Sequence, residues 1–231
     1  QFPNYRSLAS KQFGQEIQAG TKVLNFNAID ISYAVDVSIG PKTIGFGSLL
    51  VSNRSYPDQF IVTSAGTFSG EKRKDLYTHL GAGVHHEIKQ FGLFGMPAKA
   101  LAGLSAGYAA LDADQNSFDA ARTKFTPDYY DYTELGVTPS AGLLIGKKPK
   151  ANISWTLARR TYKSRRVQNP SGNYHDGSEA RPNETIADTL KSLGAGYRYL
   201  WLERPWGNLT AMISGSYRDA KSNMMYETSY Q

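Results

Sequence analysis

Apolar and polar side chains alternate residue by residue over successive segments of about ten positions, and this constrains the chain more than any other feature. Period two puts the two classes on opposite faces of a strand, a sorting that no helix performs. The first clear segment sets Ile29, Ile31, Tyr33, Val35 and Val37 against Asp30, Ser32, Ala34, Asp36 and Ser38, and ends in Gly40-Pro41-Lys42. Segments around Thr43 to Ser52 and Asp58 to Ser69 alternate less cleanly, and Tyr56-Pro57-Asp58 reads as the turn between them. From Asp75 to Lys89, Leu76, Leu80, Ala82, Val84 and Ile88 oppose Tyr77, His79, Gly81, Gly83, His85 and Glu87. After a turn over Gly92 to Pro97, Ala102, Leu104, Ala106, Tyr108 and Ala110 alternate with Gly103, Ser105, Gly107 and Ala109.

The pattern continues to the far end. Leu135, Val137, Ala141, Leu143 and Ile145 share a face before the Gly146-Lys147-Lys148-Pro149-Lys150 turn, and Ile153, Trp155 and Leu157 then oppose Asn152, Ser154 and Thr156. Leu193, Ala195, Tyr197, Tyr199 and Trp201 oppose Ser192, Gly194, Gly196 and Arg198. Beyond a turn at Arg204 to Asn208, Leu209, Ala211, Ile213 and Tyr217 alternate with Thr210, Ser214, Ser216 and Arg218, and a last segment starts near Asn223. Read this way, the chain holds about ten strands or more joined as hairpins, with short connections near Gly92, Lys148 and Pro205 and long ones after Leu111 and Lys163. Residues 1–20 are polar and unassigned, and residues 21–231 show no composition break that would divide a domain.

Composition narrows the class. The mean hydropathy of −0.45 and the lack of any apolar run near the roughly 18 residues of a membrane helix exclude helical membrane proteins. A transmembrane β-barrel passes this test, because only alternate residues meet lipid. A soluble sheet would exclude serine, glycine and charge from its buried side, yet here the less apolar face is rich in Gly, Ser, Thr, Asp and Arg. The other face carries Leu, Val, Tyr and Trp, and Trp155, Tyr197, Tyr199, Trp201, Trp206 and Tyr217 fit an interfacial girdle. The expected fold is therefore all-β, an antiparallel up-and-down transmembrane β-barrel.

The chain resembles Gram-negative outer-membrane β-barrel proteins as a class. The stretch Tyr217-Arg218-Asp219-Ala220-Lys221-Ser222-Asn223-Met224-Met225-Tyr226-Glu227-Thr228-Ser229-Tyr230 resembles the penultimate hairpin of barrels that follow periplasmic tetratricopeptide segments, among them surface lipoprotein assembly modifiers and polysaccharide exporters. The resemblance implies a location in the outer membrane and a final aromatic residue, where this sequence has Gln231.

Absent residues remove several chemistries. With no cysteine, disulfides, thiolate nucleophiles and thiolate metal sites are excluded. No GxxxxGK[ST], HExxH, GxSxG or EF-hand pattern occurs, so neither a cofactor nor a metal is expected. The net charge of +6 sits in turns and loops without a recognition motif, and nucleic acid is not an expected partner.

Charged groups supply the candidate sites. Asp30 and Asp36 on the first strand and Arg198 and Arg218 on late strands are expected inside, as a compensated network or as a lining selective for a small solute. Arg159, Arg160, Lys163, Arg165 and Arg166 form a basic cluster, read either as a contact for lipopolysaccharide phosphates or as a solvated loop base. His79 and His85 share a face with Glu87, where interior hydrogen bonding is favoured over acid/base or metal chemistry. The resulting expectation is a non-enzymatic outer-membrane barrel acting as a channel, an export pore or a scaffold for surface or periplasmic protein partners. Two alternatives are an outer-membrane hydrolase of lipid or peptide, working through His79 or His85, and a soluble β-sandwich binding module.

Overall fold

The computed structural model describes residues 25–93, 95–118, 124–146, 149–167, 184–204, 207–223 and 229–230. The unassigned amino-terminal segment 1–20, the basic loop from 168 to 183, and Trp206 lie outside these residues. The elements are β1 (Asn27–Gly40), β2 (Thr43–Val62), β3 (Phe68–Leu93), β4 (Met96–Ala113), the short pair β5 (Ser117–Phe118) and β6 (Phe125–Thr126), β7 (Tyr132–Ile145), β8 (Pro149–Arg166), β9 (Thr185–Arg204), β10 (Gly207–Ser222) and β11 (Ser229–Tyr230). Eight long strands pair antiparallel, each with its neighbour in the chain once the β5–β6 hairpin is set aside, and β11 adds two residues to β10. The sheet curls through about half a barrel and does not close. Its described residues form one layer, not the two packed sheets of a sandwich.

Register turns the alternation into two continuous surfaces. Val35 pairs with Gly47, Gly47 with Ala82, Ala82 with Ala106, Ala106 with Val137 and Val137 with Leu157, so one row crosses six strands on one face. The same face carries Leu80, Leu104, Tyr108, Leu135, Ile153, Trp155, Leu193, Tyr197, Ile213 and Tyr217, all exposed. The opposite, concave face carries a row from Ser48 through Gly81, Gly107 and Gly136 to Ala158 and Leu190. Small residues inside and large ones outside let the sheet bend toward its small side.

Gly83 shows why the small side must stay small. A Cβ there would lie 2.5 Å from Phe46 Cζ, 2.6 Å from Ser105 Cβ and 2.7 Å from the Leu104 carbonyl oxygen. Gly70, near the other end of β3, has nothing within 4 Å of the same point.

Two features depart from the sequence expectation. Tyr56-Pro57-Asp58 is no turn: β2 runs through it to Val62, and the chain reverses at residues 63–67, where Gly66 takes φ +75°. Proline is tolerated inside β2 because the ladder slips there, from Ser55 opposite Lys74 to Phe60 opposite Lys72, so Pro57 owes no hydrogen bond to a partner. The expected Asp58 to Ser69 strand is thus the end of β2, a turn and the start of β3. With the last expected segment described only at β11, eight long strands stand in place of about ten. A second slip, between Glu87 and Lys89, leaves Ile88 without a cross-strand partner.

Conversion of Gly83 to Ala is expected to destabilise the fold by about 1–3 kcal/mol through overpacking, whereas Gly70→Ala changes it by less than about 0.5 kcal/mol. Denaturant unfolding of the two variants measures the difference, and equal stabilities would contradict the inward crowding at Gly83.

Candidate functional site at the long-loop end

The β1–β2, β3–β4, β7–β8 and β9–β10 strand ends meet at one end of the sheet, and those of β2–β3, β4–β7 and β8–β9 at the other. β3 has 26 residues, far more than the roughly 9–11 a strand needs to cross a bilayer. Its surplus toward the long-loop end, together with its neighbours, carries a cluster of charged and aromatic side chains.

Asp75 is the centre of this cluster, with a side chain 1% exposed. It accepts from Arg73 through Nε at 2.7 Å and the terminal nitrogen at 2.6 Å, and from the Tyr56 hydroxyl at 2.9 Å. The Arg73 guanidinium lies 4.3 Å from the Tyr56 ring and 4.2 Å from that of Tyr130, and it also donates to Gln59. The charge is thus neutralised by one carboxylate and covered by two rings. Along the concave face the arrangement recurs with different partners. Arg160 donates twice to Glu134 Oε2, at 3.0 and 2.7 Å, and stacks 4.2 Å from Tyr132. Arg54 lies between Phe26 and Tyr77, at 5.3 and 4.9 Å. Arg165 lies near Tyr129 and Tyr162, at 4.9 and 5.2 Å.

The β4–β7 loop is tied to this cluster. Asp131 accepts from the Ala113 backbone at 2.6 Å and from Lys163 Nζ at 3.0 Å. Partial desolvation pushes the Asp114 carboxyl up, against the backbone N–H it accepts from Lys74 and with help from the nearby Asp75 charge. Gln115 and Asn116 bond the end of β2 through Val62 and Phe60. Tyr162, Val167 and Ile186 are buried together, with Tyr132 against them.

The expected site residues separate in the structure. Asp30, Asp36, Arg198 and Arg218 stand on the concave face, on strands at opposite margins of an open sheet, where all four are exposed. Ion pairs among the described residues join Arg73 to Asp75, Lys99 to Glu87, Arg160 to Glu134 and Lys163 to Asp131, and none of these involves the four. The basic cluster is no single surface. Arg159 faces outward opposite Leu135, whereas Arg160 points inward to Glu134, as period two requires of adjacent residues. Lys163 is held by Asp131 and Arg165 by two rings, and Arg166 is exposed at the end of β8.

Histidine positions bear on the hydrolase alternative. His85 stacks on Phe46 at 4.8 Å and 18°, and Glu87 is engaged by Lys99 at 2.7 Å and by Gln90. His86 faces the other side, against Thr43. Ser140 Oγ and His85 Nδ1 converge over Gly103, but no hydrogen bond among the described residues joins them. A nucleophile and base oriented by a third group would need that bond.

Sequence reasoning missed the tyrosine–arginine cluster. Its members are dispersed from Phe26 to Arg165, and only the strand register brings them together; the surplus length of β3, once seen, is the one signal that points to it. No family model, no curated protein and no solved structure matches the chain.

Replacement of Asp75 by Ala strands the buried Arg73 charge and the Tyr56 hydroxyl, and is expected to cost about 3–5 kcal/mol in denaturant unfolding. The double variant Arg73→Met/Asp75→Leu recovers most of that loss. If the double variant is as unstable as Asp75→Ala, the loss does not arise from an uncompensated charge.

Proposed function

We propose that the sheet is about half of a transmembrane β-barrel of the Gram-negative outer membrane, and that it acts without catalysis as a channel for polar solutes. The observation that carries this reading is the sidedness of a single layer: exposed Leu, Val, Tyr and Trp cover the convex face from β1 to β10, and glycine, serine and charge cover the concave face. In water such a surface is far larger than the apolar patches soluble monomers tolerate. In a bilayer it is the lipid contact, with outer-membrane lipid as the partner.

Backbone groups at membrane depth must all be paired, so the edge of β1 and most of that of β10, unpaired among the described residues, need further strands against them. Eight strands span about half the circumference, so a ring of that curvature holds about sixteen, in the range where barrels enclose water. Small concave side chains leave such a lumen open. This favours a channel or export pore over a scaffold.

Planar-bilayer recording of the refolded protein is expected to show discrete conductance steps, and a folded, inserted protein that stays silent would contradict the channel. Leu104 is 57% exposed on the convex face. In lipid, Leu104→Arg is expected to cost about 2–4 kcal/mol near the midplane, while a water-exposed leucine would tolerate the change within about 0.5 kcal/mol.

A further inference from the structure

Between the β5–β6 hairpin and the loop ends of β8 and β9 lies a half-open cleft of about 610 Å³. Three cations, Lys124, Lys163 and Arg166, and three hydroxyls, Thr126, Ser164 and Thr185, stand in its walls. Among the described residues, no carboxylate lines it. Asp131, which bonds Lys163 at 3.0 Å, lies outside the lining, so it positions the ammonium and leaves the other two N–H donors of that group for the cleft.

Both walls are anchored. On the hairpin side the Asp128 backbone N–H donates to Asn116 Oδ1 at 3.1 Å, and Asn116 in turn donates to the Val62 carbonyl at 2.7 Å. Tyr129 donates to the Gln115 carbonyl at 2.8 Å. On the other side the Lys163 backbone N–H donates to the Asp131 carbonyl at 3.0 Å, and that of Val167 to the Glu184 carbonyl at 2.9 Å. The Lys163 ammonium, held by Asp131 before a ligand arrives, loses less ordering entropy on binding than one on a free side chain.

We propose that this cleft binds a phosphate group carried by a larger molecule. A carboxylate is satisfied by a planar pair of donors from one arginine, whereas a phosphate dianion accepts from several directions at once. Cations from two walls and hydroxyls between them fit the second geometry. The phosphate can be borne by a lipid of the outer leaflet or by a soluble ester. The cleft uses none of the convex residues on which the membrane reading rests, so failure of either leaves the other standing.

The test is binding by the full chain in detergent micelles of lipid A carrying both phosphates, of its dephosphorylated form, and of inorganic pyrophosphate. Phosphorylated lipid A is expected to bind, and Lys124→Gln/Arg166→Gln to weaken it about tenfold or more, with unchanged heat-dependent gel mobility. Lys124→Arg keeps the affinity. Displacement by pyrophosphate assigns the site to soluble phosphates, and binding that pyrophosphate does not displace assigns it to the lipid. Equal binding of the phosphorylated and dephosphorylated forms would overturn the proposal, as would undiminished affinity in the double variant. Should the double variant fail to fold, Lys124→Gln alone, in the loop outside the sheet, decides by the same comparison.

Discussion

One backbone ladder, running in neighbour order from β1 to β10, keeps most large apolar side chains on one surface and most glycine, serine and paired charge on the other. A slip of one residue at any joint would exchange the faces of all strands beyond it. The ladder does slip, at Ser38/Gly40, Ser55/Phe60, Glu87/Lys89, Thr161/Arg166 and Leu209/Thr210. These slips fall toward strand ends, outside the central rows where Ala82, Ala106 and Val137 must align. Irregular pairing is thus confined to places where a changed side costs little.

That division explains how one sheet carries two kinds of chemistry. The middle of each strand has simple side chains and no ion pair among its described residues. Toward the long-loop end the strands outrun the apolar rows, and the concave side fills with Arg73, Asp75, Glu134, Arg160 and their tyrosines. Buried charge is costly unless paired and bonded, and each of these guanidiniums is held by a carboxylate and lies against at least one ring. The cluster stiffens the loop end, and the proposed phosphate cleft is built on the same stiffness, through Asp131 and Asn116.

Much of the sheet was legible in the sequence because period two needs only local order: the faces of Ile29 to Val37, Leu135 to Ile145 and Leu193 to Tyr199 are as the alternation has them. Proline misled at Pro57, since a bulge and a turn use the same residue for different reasons. Arg159 and Arg160 were legible too; adjacent residues of a strand cannot share a face, and grouping them as one surface ignored the rule that found the strands. The Tyr56–Arg73–Asp75–Tyr130 group was not legible, because its spacing in sequence is set by connections whose lengths no local pattern encodes. Strand number was out of reach for a related reason: curvature depends on glycines such as Gly83 and Gly103 meeting side chains of neighbouring strands, which only the register reveals.

The central claim is that the convex face meets hydrocarbon and the concave face meets water. The chain contains no cysteine, so a single introduced one is a unique probe, and the adjacent pair Leu104 and Ser105 sample the two faces at the same depth. With a bimane label on Leu104→Cys or on Ser105→Cys in bilayers of brominated lipid, quenching is expected at position 104 and not at 105. An impermeant thiol reagent is expected to modify position 105 and not 104. Quenching at both positions or at neither, or the reverse pattern of modification, would contradict the account.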